Sequence, residues 1–528
     1  MTHFSNRLLE SDGCILGPGL FVPARHTTRK HSGCGPPCEV KGSVKRTHLG
    51  LVGRSLWLSA AALCAGNLCA AEWTWTWTPA LGDKAPTAEV CTFKYGKTWA
   101  YAVEIDDGPK WARSFAVPFL AEHHYTDAPP GVAGGQRRAF VGSAVVIVGV
   151  VGNNDTALNW DDLKALLEAG WGVMNHSFDH RANGWSGPAA LLSEAQARED
   201  AFWSQAILAG HLPGGRAPTG AVYANGYTDY NRNGALLACG LSIATRVGGS
   251  SPRDVLSPKV NWMDFTRAYL DEKVWSNEWN KSQPLADFPG ANQGGPASNS
   301  LVIDFTHVIE SKPGSANQER WRTRLKTIAD RWGAGGADTL WCAPTAEVAD
   351  YVRAAKAAKV AVTSGKLVIT LPDDLPGSAL TLRLSGVGTT ATTEVPTDGT
   401  LYRQGETLVL TSPRIGLWGA APPAPRLKCI YEGPAQSVDF GKSYAIAGVT
   451  LKVFGNPATA LPFRLAVRTA GGEQVFAERT VGPGWVVGGK LCPIVPNRPA
   501  ITGTGLVVAG VEPLKAMTVW AIDSGAEP

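Results

Sequence analysis

Between residues 99 and 362 the chain alternates short apolar runs with longer amphipathic stretches. Tyr101, Val103 and Ile105 alternate with smaller or polar residues, which predicts a strand running into the turn Asp106-Asp107-Gly108. The β-branched run 139–151 predicts a buried parallel strand. Leu301-Val-Ile-Asp-Phe-Thr-His307 predicts another strand, ending on a histidine. Helical spacing fills 160–170, 193–210 and 317–332. Strands alternating with helices predict a parallel α/β barrel over 72–362.

Past Val362 the period changes to two. Lys366–Leu371 and Ala379–Ser385 alternate strictly between short turns, which predicts a small antiparallel β domain over 363–420. Ala420-Ala-Pro-Pro-Ala-Pro425 has the composition of a linker. Beyond it, runs such as Phe463–Val467 and Thr518–Ile522 predict a sandwich-like β domain over 426–528, of the kind that also serves as a carbohydrate-binding accessory. Upstream, Trp73, Trp75 and Trp77 share one face of an extended segment, expected to lie against the barrel.

Residues 1–71 read as a presequence. Arg54 precedes the apolar run 55–66, and Cys69-Ala-Ala71 offers a small-residue cleavage site, the form of a secretory signal. The run is too short to span a bilayer. The signal stands some way from Met1, so a start of translation near residues 49–52 is expected, with a secreted or periplasmic mature chain. The chain's net charge of +4 belongs to this basic segment, and the remainder is near neutral. That leaves no basic surface to suggest a nucleic-acid partner. Five of the ten cysteines precede residue 71. Of the rest, Cys429 and Cys492 are the expected bridge, and none is given a catalytic role.

The chemistry gathers where predicted strands end. His176-Ser-Phe-Asp-His180 sets two imidazoles four residues apart, able to grip one ion. Asp106 and Asp107 place two carboxylates side by side, an arrangement that resists joint ionisation unless a cation or donors hold it. A metal on one leaves the other free to act as a general base. Arg216-Ala-Pro-Thr-Gly220 and His307 follow in order. His123 and His124 form a rival pair, in a stretch read as loop. The stretch 247–300 carries Trp262, Trp275 and Trp279 in polar, Pro- and Gly-rich surroundings, where indole rings at a site's rim can stack on a sugar face.

These motifs, in this order, resemble those of the polysaccharide deacetylases of carbohydrate esterase family four, the NodB-homology domain, over roughly residues 90 to 362. The resemblance implies a distorted (β/α)7 barrel. It implies a divalent metal, most often zinc, held by Asp107, His176 and His180. Asp106 would be the base and His307 the acid, with Arg216 orienting Asp106 by an ion pair. Pro218 and Thr219 would form the pocket wall, the Thr219 N–H helping to hold an oxyanion. The substrate would be an acetylated polysaccharide or oligosaccharide, N-acetylated as in chitin and peptidoglycan or O-acetylated as in xylan. The chain departs from the family pattern in having Glu104-Ile105 before the aspartates and Thr219 in place of an aromatic residue. Glu104 is expected to point away from the site, and Asp264 is the nearest counterpart of the family's Asp/Trp motif. Two other readings fit the same residues: an amidase of this fold acting on a non-sugar amide, and a barrel that keeps its ligands without turning over.

Overall fold

The computed structural model describes residues 70–79, 85–152, 155–178, 180, 194–224, 230–247, 253–270, 296–309, 314–423, 426–453, 461–481, 492–494, 500–510 and 514–523. The presequence read over 1–71 lies outside the described residues, save for its last two.

Seven parallel strands close a barrel: β1 (Trp99–Ile105), β2 (Ser143–Val146), β3 (Gly172–Asn175), β4 (Gly220–Val222), β5 (Ile243–Val247), β6 (Phe265–Tyr269) and β7 (Ser300–Thr306). Closure comes from β7 pairing with β1 over Leu301↔Ala100 to Thr306↔Ile105. The barrel is distorted at the β1–β2 seam. There β2 meets only the end of β1, at Glu104 and Ile105, while Leu340–Cys342 pairs with its beginning, at Trp99 to Tyr101. This is the expected (β/α)7 barrel, followed by antiparallel β structure.

Helices α1 (Trp160–Glu168), α2 (Glu194–His211), α3 (Tyr230–Ala238), α4 (Ala316–Trp332) and α5 (Thr345–Ala357) accompany the strands. Asn159 starts α1 with a reciprocal capping box to Asp162, which satisfies two donors that a helix end otherwise leaves orphaned. α4 is tied to β7 by a buried fork from Arg324 to Asp304, which also accepts from the Tyr101 hydroxyl at 2.7 Å.

The β-branched run forms strand only over Ser143–Val146. Its next residues turn instead toward the histidine loop: the Val148 and Gly149 amides donate to the Ser177 and Phe178 carbonyls at 3.0 and 2.8 Å. A Cβ at Gly149 would stand 2.8 Å from the Phe178 oxygen, so only glycine lets the two backbones approach this closely. His124–Thr126, read as loop, is a short strand paired with Arg137–Ala139.

The tryptophan segment is a strand, Ala71–Thr78, but its partner is the β structure after the barrel. It pairs antiparallel with Lys366–Leu371, and its alternation buries Trp75 and Trp77 beside Leu367 and Ile369 in a core continuous with the barrel's. The described strands beyond residue 426 form a further antiparallel sheet, ordered Leu427–Gly433, Leu514–Ile522, Ser437–Val453, Ile501–Ala509, Leu461–Thr469, Gly472–Val481. It encloses its own core of Ile446, Val449, Leu451, Leu465 and Val519. This β domain meets α2. Trp520 stands against Gly210 and His211, and Trp203 lies over Gly448. His211 also stacks on Trp160 at 3.9 Å, and burial, with a smaller push from Lys164, holds its imidazole down at about 4. Cys429 is free, so the expected bridge to Cys492 is not made. Among the described residues no helix is long and apolar enough to cross a membrane.

Candidate active site

All seven barrel strands run the same way, so residues that follow a strand lie at one mouth and residues that precede one lie at the other. Asp106 and Asp107 follow β1, His176 follows β3, and His307 follows β7. They converge at the carboxyl mouth.

Asp107, His176 and His180 come together there, with one ligand-type atom from each within 4.8 Å of the others. His176 Nε2 stands 3.6 Å and His180 Nε2 3.8 Å from Asp107 Oδ1. The backbone is built to aim them. Asp107, Ser177 and His180 have φ of 69, 68 and 54°, three of the seven non-glycine residues with positive φ among the described residues. Such left-handed backbone is costly and gathers where geometry matters. The loop is pinned by the Ser177 amide to Asn175 Oδ1, the Phe178 amide to Asp200 Oδ1 and the His180 amide to Ser177 Oγ, all within 2.9 Å. His176 Nδ1 pairs with the Val222 carbonyl at 3.0 Å, which fixes the ring and leaves Nε2 facing Asp107. Burial, opposed by Asp106 and aided by His180, holds His176 down at about 4, so the ring is neutral at pH 7, the form that ligates. Two imidazoles and a carboxyl group are a donor set that suits a divalent ion.

Asp106 is buried beside this set and has a different cation from the one expected. Arg267, in the middle of β6, forks onto it: Nη1 to Oδ1 and Nη2 to Oδ2, both at 2.6 Å. Burial alone would raise Asp106, but Arg267's charge and hydrogen bonds, with His176 and His307, hold it down at about 2. It is therefore ionised. His307 Nε2 is 3.7 Å from Asp106 Oδ2, with the imidazole edge-on to Tyr269 and about one-third exposed.

Arg216 does not make the predicted ion pair. Its guanidinium donates to the carbonyls of Trp418 and Gly419 in the β structure after the barrel. The reason is its place: Arg216, Pro218 and Thr219 precede β4 and so lie at the opposite mouth. They line a cavity of about 490 Å³ there, with Asp350, Arg414 and Trp418. Thr219 Oγ1 donates to Asp350 Oδ2 at 2.6 Å, and its carbonyl takes the Ser242 amide, so it walls no pocket at the site. The residues that do leave β4 at the carboxyl mouth are Tyr223 and Ala224. Trp262 and Asp264 precede β6 and share the wrong end. Trp262 stacks on Phe265, and Asp264 pairs with Arg246. Trp275 and Trp279 lie outside the described residues.

Glu104 does not point away from the site. It is fully buried inside the barrel. Its Oε2 accepts from Arg267 Nη1 at 2.9 Å and from Thr245 Oγ1 at 3.0 Å, and its Oε1 accepts from Thr345 Oγ1 at 2.7 Å. Burial pushes its carboxyl up against the pull of Arg267. The signal for Arg267 was present in Phe265-Thr-Arg-Ala-Tyr269: one cation at the centre of an otherwise buried strand, which requires an anion inside the barrel.

No family model matches the chain. No curated protein matches it either. Solved structures with partial likeness include IcaB from Ammonifex degensii, at 20% identity and TM-score 0.27, covering 35% of this chain and 72% of that one. Others are the Streptococcus pyogenes deacetylase PplD (12%, TM-score 0.24, 32% of this chain and 62% of that one) and the BpsB deacetylase domain from Bordetella bronchiseptica (15%, TM-score 0.24, 32% and 69%).

Proposed function

We propose that this chain is a metal-dependent hydrolase that removes acetyl groups from an acetylated carbohydrate. The reading is carried by one observation: an ionised, Arg267-clamped Asp106 stands beside the Asp107–His176–His180 set, with His307 at 3.7 Å. A base, an acid and a ligand set thus share one mouth of the barrel.

Asp107, His176 and His180 would hold the ion. When bound, it supplies Lewis acidity to a carbonyl oxygen and acidifies water. The chain's own residues supply the rest. Asp106 accepts the proton of the attacking water, and its fork to Arg267 fixes the direction in which its free lone pairs point. His307, partly exposed at the rim, delivers a proton to the departing nitrogen or oxygen. The hydrogen bond from His176 to the Val222 carbonyl keeps the ligating nitrogen turned toward Asp107. Whether the acetyl sits on nitrogen or oxygen changes only what His307 protonates.

The test is bound metal and acetate release from N- and O-acetylated glycans, for the wild type, Asp106→Asn and His176→Ala. Asp106→Asn is expected to keep metal and lose turnover, and His176→Ala to lose both. Full activity in Asp106→Asn removes the base assignment. Metal with no acetate from any glycan leaves a binding barrel.

A further inference from the structure

We infer that Glu104 is a positioning residue for Asp106, acting through Arg267 across the barrel interior; this rests on the reading of Asp106 as the base. Asp106 comes two residues after Glu104, just past the end of β1, so both face inward. Arg267 reaches them from β6, and β7 lies between those strands. These contacts therefore cross the barrel interior.

Fold stability alone does not account for a glutamate here. Two carboxylates and one guanidinium are buried together, and such groups are often replaced by apolar side chains at no loss of stability. What Glu104 adds is orientation. The guanidinium lies face-on to Phe305 at 3.8 Å, which leaves it free to tilt in its own plane, and on that face only the fork onto Asp106 opposes the tilt. Nη1 divides its two N–H groups between Asp106 Oδ1 at 2.6 Å and Glu104 Oε2 at 2.9 Å. That third contact removes the tilt. It does so well because Glu104 is itself held from two other elements, by Thr245 of β5 and by Thr345 at the start of α5. A line of short hydrogen bonds thus runs from the start of α5 through the barrel to the base. A base displaced by a fraction of an ångström loses much of its advantage.

The test compares Glu104→Ala, Glu104→Gln and the wild type by crystal structure, bound metal, kcat and KM. Glu104→Ala is expected to bind metal as the wild type does, keep KM within about twofold and lose kcat by roughly 10–100-fold, with the Arg267–Asp106 fork reduced to one contact. Glu104→Gln is expected to recover kcat to within about threefold and to restore the fork, since its amide oxygen accepts from Nη1 and its nitrogen donates to Thr345 Oγ1. A purely structural role predicts a lower melting temperature with wild-type kcat and an intact fork; that result overturns the inference. Should Glu104→Ala not fold, Thr345→Val removes one anchor and keeps Glu104, Asp106 and Arg267 in place. Thr345→Val is then expected to lower kcat by about threefold or more at unchanged KM, and wild-type kcat there overturns the inference. If the wild type releases no acetate, the proposed function fails. The fork in Glu104→Ala still decides the inference: opened supports it, intact overturns it.

Discussion

Arg267 and Asp106 face each other through the barrel interior, Nη1 to Oδ1 and Nη2 to Oδ2 both at 2.6 Å, with strand β7 lying between theirs. The pairing joins a residue at the barrel's mouth to one in the middle of a strand, and it takes the role that Arg216 would have filled.

Two arginine variants therefore separate. Arg267→Met leaves Glu104 and Asp106 buried without their cation, and is expected to cost about 3–5 kcal/mol of stability in a urea titration as well as turnover. Arg216→Ala loses only carbonyl contacts at the far mouth, and is expected to keep kcat within about threefold. A collapse of kcat in well-folded Arg216→Ala would contradict the placement of that motif.

Metal should act as a ligand of the folded state. Added zinc is expected to raise the melting temperature of chelator-stripped wild type, by about 2.7 kcal/mol of stabilisation at a hundredfold excess over Kd. His176→Ala and Asp107→Ala remove one of three donors and should show little of that rise. An equal rise in the variants would mean that zinc binds elsewhere.

Asp350 sets a pH dependence of stability. It is buried in α5, and burial, opposed by bonds from Ser242 and Thr219 and by Arg353, raises its carboxyl from 3.8 to about 6. The folded state thus holds this proton more tightly than the unfolded chain does. Its contribution is fully present below pH 3.8 and is lost as pH rises through 6, a change of roughly 3 kcal/mol. Asp350→Asn cannot ionise and keeps an oxygen for Thr219. It is expected to be more stable than wild type at pH 8, with the advantage shrinking toward pH 4. Denaturant titrations at both pH values check this; the same difference at each would exclude it.

The seam between the barrel and the last β domain can be tested at Gly448. A Cβ there would run into the Trp203 ring, which is buried on α2. Gly448→Ala should cost about 1–3 kcal/mol and broaden or split the melting transition. An unchanged single transition would show that the ring can yield.

Much of the site was legible along the chain. A short alternating run followed by Asp-Asp-Gly places Asp106 and Asp107 at a strand's carboxyl end, and the same holds for His307 after Leu301–Thr306. His176 and His180 follow a helix and a short strand in the order that brings them to the same mouth. Five of the misreadings share one cause. Arg216, Pro218, Thr219, Trp262 and Asp264 lie before their strands, not after them, and matching a motif by residue type does not register on which side of a strand it falls. Trp73, Trp75 and Trp77 showed their alternation but not their partner, which is Lys366–Leu371, in the β structure after the barrel.

Local order along the chain determined the elements, because side-chain periodicity and turn residues act over a few residues, and with them the ends at which the histidines and aspartates emerge. Barrel closure decided the rest. Arg267 lies 161 residues from Asp106 and 163 from Glu104, and no local pattern links them. They meet because β7 pairs with both β1 and β6, which puts inward-facing residues of these strands into one dry interior, where a buried cation and two buried carboxyl groups must find their partners inside the barrel.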